Sequence, residues 1–243
     1  MQKCAVCTST DITFLAPKNG YSFYRCGQCE FIFLDPMPGQ AKLDALYMSA
    51  HKEAEPTYNK AGSRLRRAFI KLPRFYRYAR GRNVLDLGCG GGFVVHVLSL
   101  VAKTATGIDI SENAVSYARS RFKKPRFICC NFTDLLGTDR QYDFIYSSEV
   151  IEHVSDVNLY MRALDKLAAP GAHVYITTPD SGHPKVPNDI SQWDVFCPPI
   201  HVQFFNRKTV AVLFEKYGFS IVRFYKNTKP GLVFLARKTG GST

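Results

Sequence analysis

The sequence predicts an α/β fold: one seven-stranded, mostly parallel sheet with an antiparallel last strand, wrapped by crossover helices and preceded by a small cysteine-rich unit. Three observations carry that prediction. From Asn83 onward, apolar runs of strand length alternate with stretches of helix length, the pattern of a parallel sheet with right-handed crossovers. The first of these runs breaks into Gly88-Cys89-Gly90-Gly91-Gly92 before an apolar stretch from Phe93 to Val101, which reads as strand, tight turn and helix start. The chain closes on two apolar runs joined by Thr228-Lys229-Pro230-Gly231, a connection short enough for an antiparallel hairpin.

Residues 1–36 form the first unit. Cys4-x2-Cys7 and Cys26-x2-Cys29 enclose 18 residues, among them the turn Pro17-Lys18-Asn19-Gly20. Two such knuckles supply four thiolates for a tetrahedral structural Zn²⁺. A unit this short buries too little apolar surface to fold alone, so the metal would contribute its folding energy. Phe23, Tyr24, Phe31, Ile32 and Phe33 read as strands flanking the second knuckle. Disulfides or a redox pair are the competing readings. The start, Met1-Gln2-Lys3-Cys4, lacks the apolar region of a secretory signal, so the chain is expected in the cytoplasm with its thiols reduced or metal-bound.

Residues 37–82 read as a helical connector or cap. Pro36 and Pro38 end the first unit, and Leu43, Leu46 and Tyr47 recur at helical spacing. Between Lys60 and Arg82 stand nine Lys or Arg and no acid, interleaved with Phe69, Phe75, Tyr76 and Tyr78, so the net charge of +12 is unevenly placed. Such a segment suits phosphates, acidic sugars or an anionic membrane surface. The plainer reading is a helix with an arginine-rich solvated face and inward aromatics. No apolar run approaches the ~18 residues that span a bilayer.

Residues 83–243 form the main domain, large enough in a chain that is 46% hydrophobic to bury its own core. Strands are expected near 83–88, 104–110, 126–131, 143–148 and 173–178, and helices over 93–101, 112–122 and 156–168. A last helix, Thr209 to Tyr217, stops at Gly218, a residue suited to the position after a helix end. Strands near 220–227 and 232–238 make the final pair.

The glycine turn selects the ligand by its spacing. A dinucleotide fingerprint needs a third glycine three residues after the second, but Phe93 or Val95 stands there. The Gly-Lys-Ser/Thr of a phosphate-binding loop is absent too. What remains is Asp86-x-Gly88-x-Gly90, with Asp109 closing a second strand 19 residues after Gly90, a distance that suits bonding to ribose hydroxyls. Val84 to Gly92 with Thr106-Gly107-Ile108-Asp109 resembles the S-adenosylmethionine site of class I methyltransferases. The order of ribbon, Asp35-Pro36-Met37-Pro38, helix and core resembles a bacterial group of zinc-ribbon-fused members, so the resemblance covers nearly the whole chain. It implies a Rossmann-like sheet and S-adenosyl-L-methionine as cofactor. Asp86, Gly88, Cys89 and Gly90 would line its methionine portion, Asp109 its ribose and Ile110 one face of the adenine. Where the family usually places an Asp for the adenine edge, this chain reads Asn131-Phe132. Asn131 can still accept from the adenine amino group, and Phe132 can stack on the ring or pack in the core. Ser148 closes the fourth strand beside them.

Glu149, Glu152 and His153 follow at i, i+3 and i+4, a spacing that puts all three on one helical face. His201 lies far downstream. Two Glu and two His would satisfy a divalent metal. The Glu-x-x-Glu-His pattern with a distant His resembles two groups: small-RNA 2′-O-methyltransferases and ubiquinone-pathway O-methyltransferases. In the plainer reading Glu149 or Glu152 braces the turn, and His153 or His201 touches the acceptor or acts as base. The stretch from Thr177 to Pro199 is long and Pro-rich, which favours a functional loop, with Trp193, Phe196 and His201 as candidate walls of an acceptor pocket. Cys89, Cys129, Cys130 and Cys197 read as small buried hydrophobes.

The sequence therefore points to a methyltransferase with a structural zinc ribbon, acting most simply on an oxygen of a small molecule or glycan precursor. RNA is the alternative acceptor, favoured by the charge. A non-catalytic scaffold that binds S-adenosylmethionine is a third reading, weakened by the presence of the Glu-His pair.

Overall fold

The computed structural model describes residues 3–53 and 60–240; residues 54–59 of the expected connector and the end of the tail lie outside the described residues. The chain begins with three short strands, β1 (Ile12–Lys18), β2 (Tyr21–Cys26) and β3 (Ile32–Leu34), and two helices, α1 (Gln40–Glu53) and α2 (Ala61–Ala79). There follow β4 (Asn83–Leu87), α3 (Phe93–Ser99), β5 (Thr104–Asp109), α4 (Glu112–Arg121), β6 (Arg126–Cys129), β7 (Tyr142–Ser148), α5 (Val157–Leu167) and β8 (Ala168–Pro179). The chain ends with β9 (Gln203–Phe204), α6 (Arg207–Lys216), β10 (Phe219–Phe224) and β11 (Gly231–Lys238).

The large sheet has the order β10-β11-β8-β7-β4-β5-β6. β4, β5, β6, β7 and β8 pair in parallel, and β11 runs antiparallel to both β8 and β10. Helices cover both faces, so the central strands are largely apolar: Val84, Leu85 and Leu87 of β4 are all buried, as expected of parallel strands. Strand order reverses between β4 and β7, and a crevice opens there beyond their carboxyl ends.

Local chemistry fixes the helix starts. Ser111 accepts from the Ala114 N–H at the start of α4, Asp156 from Asn158 and Leu159 at α5, and Asn206 from Thr209 at α6, each satisfying backbone donors that the first turn leaves unpaired. Gly218 takes a positive φ after α6, as its place in the sequence predicted. The final hairpin is looser than expected. β10 stops at Phe224, and the Asn227 side chain folds the longer loop by donating to the Gly231 carbonyl and accepting from the Lys229 N–H.

A second sheet, ordered β1-β2-β3-β9, takes its outer strand from the far end of the chain: Ile32 pairs with Phe204 and Phe33 with Gln203. Around it Phe23 lies 4.1 Å from Phe196, and Trp193 lies 5.6 Å from Phe204. Trp193 and Phe196, expected to wall an acceptor pocket, are core residues of this interface instead. Packing them against the cysteine-rich unit removes more apolar area from water than an open pocket wall would. Among the described residues no helix is long and apolar enough to cross a membrane.

Glycine at position 92 has a packing cause. It takes φ +78°, and a Cβ there would lie 2.7 Å from the Phe127 ring and 2.9 Å from Ala118. Gly92→Ala should therefore destabilise the chain by about 3 kcal/mol, adding backbone strain to overpacking; urea denaturation of the two proteins measures it.

Candidate functional site

The crevice at the strand-order reversal is a cavity of about 640 Å³. Its floor is the turn after β4. Gly88 and Cys89 both donate to the Ile108 carbonyl, at 2.9 and 2.8 Å, tying the turn to β5. The Asp109 carboxylate completes the tie, one oxygen accepting the Gly90 N–H at 2.8 Å and the other the Ser111 N–H at 2.9 Å. Gly90 takes φ +49°, and a Cβ there would meet nothing within 4 Å, because that face looks into the cavity. Gly88 is tight instead: a Cβ would lie 2.4 Å from Val150. The turn thus presents bare main chain to the cavity.

Asp86 lies beneath the turn, 2% exposed, and receives the Val95 N–H at the start of α3. Burial pushes its carboxyl up to about 7, with Asp109 adding repulsion. A cation arriving beside it would restore the ionised form.

The expected cofactor residues converge on this cavity. Asp86, Gly88, Cys89, Gly90, Asp109, Ile110, Asn131, Phe132 and Ser148 all line it. Three of them also serve local structure. The Asn131 side-chain oxygen caps a short 3-10 turn by accepting from Thr133, and its amide donates to Asp44 on α1. Phe132 packs edge-to-face on Tyr160 at 5.7 Å. Ser148 shares a 2.6 Å hydrogen bond with Thr177. The free thiols Cys89, Cys129, Cys130 and Cys197 are half-buried rather than core residues. Cys89 and Cys130 reach the cavity, and the Cys197 Sγ lies 3.6 Å from His201 Nδ1.

The acidic turn after β7 differs from expectation. Glu149, Glu152 and His153 do not share an α-helical face, because only Ile151–His153 form a single 3-10 turn and Glu149 takes φ +56° ahead of it. The carboxylate of Glu149 lines the cavity and accepts from the Thr177 hydroxyl. Glu152 is fully buried and is not among the residues lining the cavity. One of its oxygens accepts from Thr178 at 2.9 Å, and the other has no hydrogen-bond partner. Burial, with Glu149 nearby, holds its carboxyl well above the usual carboxylate range.

His153 and His201 meet although 48 positions separate them in the sequence, their rings 4.7 Å apart. The segment after His201 zips onto the turn: Val202 N–H donates to the Glu152 carbonyl, and the Gln203 amide donates to the Ile151 and Val154 carbonyls. Each ring keeps Nδ1 on a backbone carbonyl, His153 on Ile200 at 2.8 Å and His201 on Val195 at 2.7 Å. Both Nε2 atoms are thereby left with a lone pair. Burial lowers the pKa of His201. Ligand atoms of Glu152, His153 and His201 all lie within 4.8 Å of one another. Glu149 is not part of that group, so the expected four-residue metal set reduces to three. His153 lines the cavity, whereas His201 stands behind it.

The four ribbon cysteines also come together. Cys4 and Cys29, and Cys7 and Cys26, each have sulfurs 3.5 Å apart, too far for disulfides and near the edge of a tetrahedral thiolate site, roughly 3.8 Å for bonds of about 2.3 Å. The two knuckles share one geometry. Thr8 and Glu30, each four residues past the first cysteine, take φ +65° and +64° and donate to the Cys4 and Cys26 carbonyls. The Cys4 thiol falls to about 5 through its contact with Cys29, so one thiolate is already favoured at neutral pH. This donor set fits a structural zinc ion.

The sequence marked the Lys60–Arg82 stretch as a cap segment suited to anions but did not choose which of its residues meet the cavity. Arg64, Arg67, Ala68 and Lys71 face the cavity from one side of α2; their recurrence at helical spacing was the available signal.

A family model described as a methyltransferase domain matches residues 54–223. Among curated relatives, the ubiquinone biosynthesis O-methyltransferase of Rhizobium leguminosarum bv. trifolii is 30% identical over 114 residues, 45% of this chain and 45% of that protein. Its namesake from Bordetella avium is 34% identical over 104 residues, 41% and 43% of the two chains. The chain thus spans a little under half the length of these relatives. Among solved structures, the 1,6-didemethyltoxoflavin-N1-methyltransferase of Burkholderia thailandensis superposes with a TM-score of 0.63 at 16% identity, over 93% of this chain and 99% of that one. An S-adenosylmethionine-dependent methyltransferase from Mesorhizobium loti gives 0.58 at 19% identity, over 69% and 97%. At these identities the two structures show a shared fold alone. With more than half of its length matched, the chain belongs to the methyltransferase-domain family, and the matched region is a class I S-adenosylmethionine-dependent methyltransferase domain.

Proposed function

We propose that this chain transfers the methyl group of S-adenosylmethionine to an oxygen of a small molecule or glycan precursor. Residues 1–36 would serve as a zinc ribbon, 37–82 as a cap and 83–243 as the transfer domain. One observation carries the reading: the glycine turn stapled by Asp109 opens onto the same cavity that His153 and Glu149 line. The relatives named above support a small acceptor, and none of them is named for RNA.

When bound, the cofactor supplies an electrophilic methyl group on a sulfonium. Asp109 and Gly90 would hold its sugar, Ile110 and Phe132 its base, and Asp86 the cationic methionine end. What the chain must still do is orient the acceptor and take its proton. His153 is the base in this reading: it faces the cavity, and with its Nδ1–H donated to the Ile200 carbonyl its Nε2 carries the accepting lone pair. Glu152, 3.9 Å away, would stabilise the imidazolium. Positioning would supply most of the rate.

The unpartnered Glu152 oxygen favours a second reading, in which Glu152, His153 and His201 hold a divalent cation. The cation's chemistry would be to acidify and orient the acceptor hydroxyl. The zinc ribbon would act at a distance in either case. β3 pairs with β9, directly after His201, and Thr209 donates to the Cys29 carbonyl, so ordering the knuckles orders the segment that seats both histidines.

S-adenosylhomocysteine should bind with calorimetric heat that Asp109→Ala abolishes. Its affinity should fall about tenfold per unit as pH drops below about 7, because the protonated Asp86 carboxyl must ionise to meet a cation; Asp86→Asn should bind weakly with that slope gone. His153→Ala should lower kcat by roughly 10²–10⁴ while S-adenosylhomocysteine affinity stays within twofold. Metal analysis should find one zinc per chain, lost in Cys26→Ser together with a fall in Tm and kcat. A second equivalent that disappears in His201→Ala would select the metal-assisted reading.

A further inference from the structure

The cavity has a polarity that the methyl donor does not use up. Its acids, Asp86, Asp109 and Glu149, stand at the strand ends, whereas α2 turns Arg64, Arg67 and Lys71 toward it from the opposite wall. Lys71 belongs with the strand ends: Asp86 and Glu149 both act on its charge, and its Nζ lies 3.5 Å from the Tyr146 hydroxyl. Arg64 stands seven residues away, roughly 10 Å along the helix at 1.5 Å per residue. A cofactor lying at the strand ends would place its methionine carboxylate nearer Lys71 than Arg64. Asp44, the cap acid that lines the cavity, is engaged, with one oxygen accepting from Gln40 and the other from Asn131. Among the described residues no salt bridge involves Arg64 or Arg67. Two guanidiniums at a cavity wall, with no carboxylate among the described residues pairing them, form a receptor for a planar or tetrahedral oxyanion. Leu43, Tyr47 and Ile200 add apolar surface between this rim and His153.

We infer that the acceptor carries an anionic group, a carboxylate or a phosphate monoester, which Arg64 and Arg67 bind so that an apolar body lies along Tyr47 and the reacting hydroxyl reaches His153. This rests on the function proposed above and narrows its substrate class. It also gives the arginine-aromatic stretch a role. One face of α2 packs through Ala68, Phe75 and Ala79, and the adjoining face reads charge.

The test uses the full, zinc-replete chain saturated with S-adenosylhomocysteine, titrated calorimetrically with benzoate, phenyl phosphate and benzyl alcohol. Both anions should bind at least tenfold more tightly than the neutral alcohol, and whichever binds tighter identifies the oxyanion. Arg64→Gln/Arg67→Gln should remove that preference, a loss of tenfold or more in line with the worth of charge-assisted hydrogen bonds. Its affinity for S-adenosylhomocysteine and its Tm should stay unchanged, since both side chains are exposed. Equal binding of alcohol and anions, or anion binding untouched by the double substitution, overturns the inference. Absence of any S-adenosylhomocysteine binding to the unaltered chain overturns the proposed function instead, so the two failures read differently.

Discussion

A single buried carboxylate sets the shape of the site. Asp109 is 4% exposed and bonds two main-chain N–H groups from consecutive strand-to-helix turns, Gly90 after β4 and Ser111 after β5. Charge-assisted bonds of this kind are worth about 1.5–3 kcal/mol each when desolvated. They offset the cost of holding Gly90 in the left-handed region with an empty face. The features that suit the cavity to the proposed cofactor follow: the open main chain at Gly90, the buried Asp86 below it, and the walls that the ends of β6 and β7 add on either side.

The second constraint is the shared sheet. A short cysteine-rich unit is ordinarily an appendage, yet here its third strand ends against β9, and Asn206 and Thr209 of the α6 start bond Glu30 and the Cys29 carbonyl. Order in the knuckles therefore passes directly to the segment that closes over Glu152 and seats His201 against His153. Val202 and Gln203 satisfy three carbonyls of the 3-10 turn, so little backbone freedom remains between the knuckles and the two imidazoles. Among the described residues, one buried Glu152 oxygen in this region has no hydrogen-bond partner. Such a group costs roughly 1–3 kcal/mol unless a ligand or a proton answers it.

Charge is sorted across the cavity as well. Acids gather where the parallel strands end, because helix starts and turn N–H groups there favour negative charge. The cations come from a helix whose sequence between Lys60 and Arg82 contains no acid at all. A ligand lying between the walls would find its cationic end matched on one side and any anionic end matched on the other, which orients it without a large contact area.

Much of this was legible from the chain itself. Apolar runs broken by Gly88 and Gly90, an acid 19 residues on, and paired cysteines at a two-residue spacing determined the sheet, the family resemblance and the four-cysteine cluster, because each depends on local backbone demands or fixed covalent reach. Tertiary structure alone decided the rest. It turned Glu152 inward and Glu149 outward, since a 3-10 turn breaks the helical spacing that the sequence suggested. It buried Trp193 and Phe196 against the ribbon, paired β3 with β9, and chose which face of α2 meets the cavity. Those outcomes join residues far apart in the chain, and a one-dimensional pattern cannot say which of several apolar or charged surfaces will find each other.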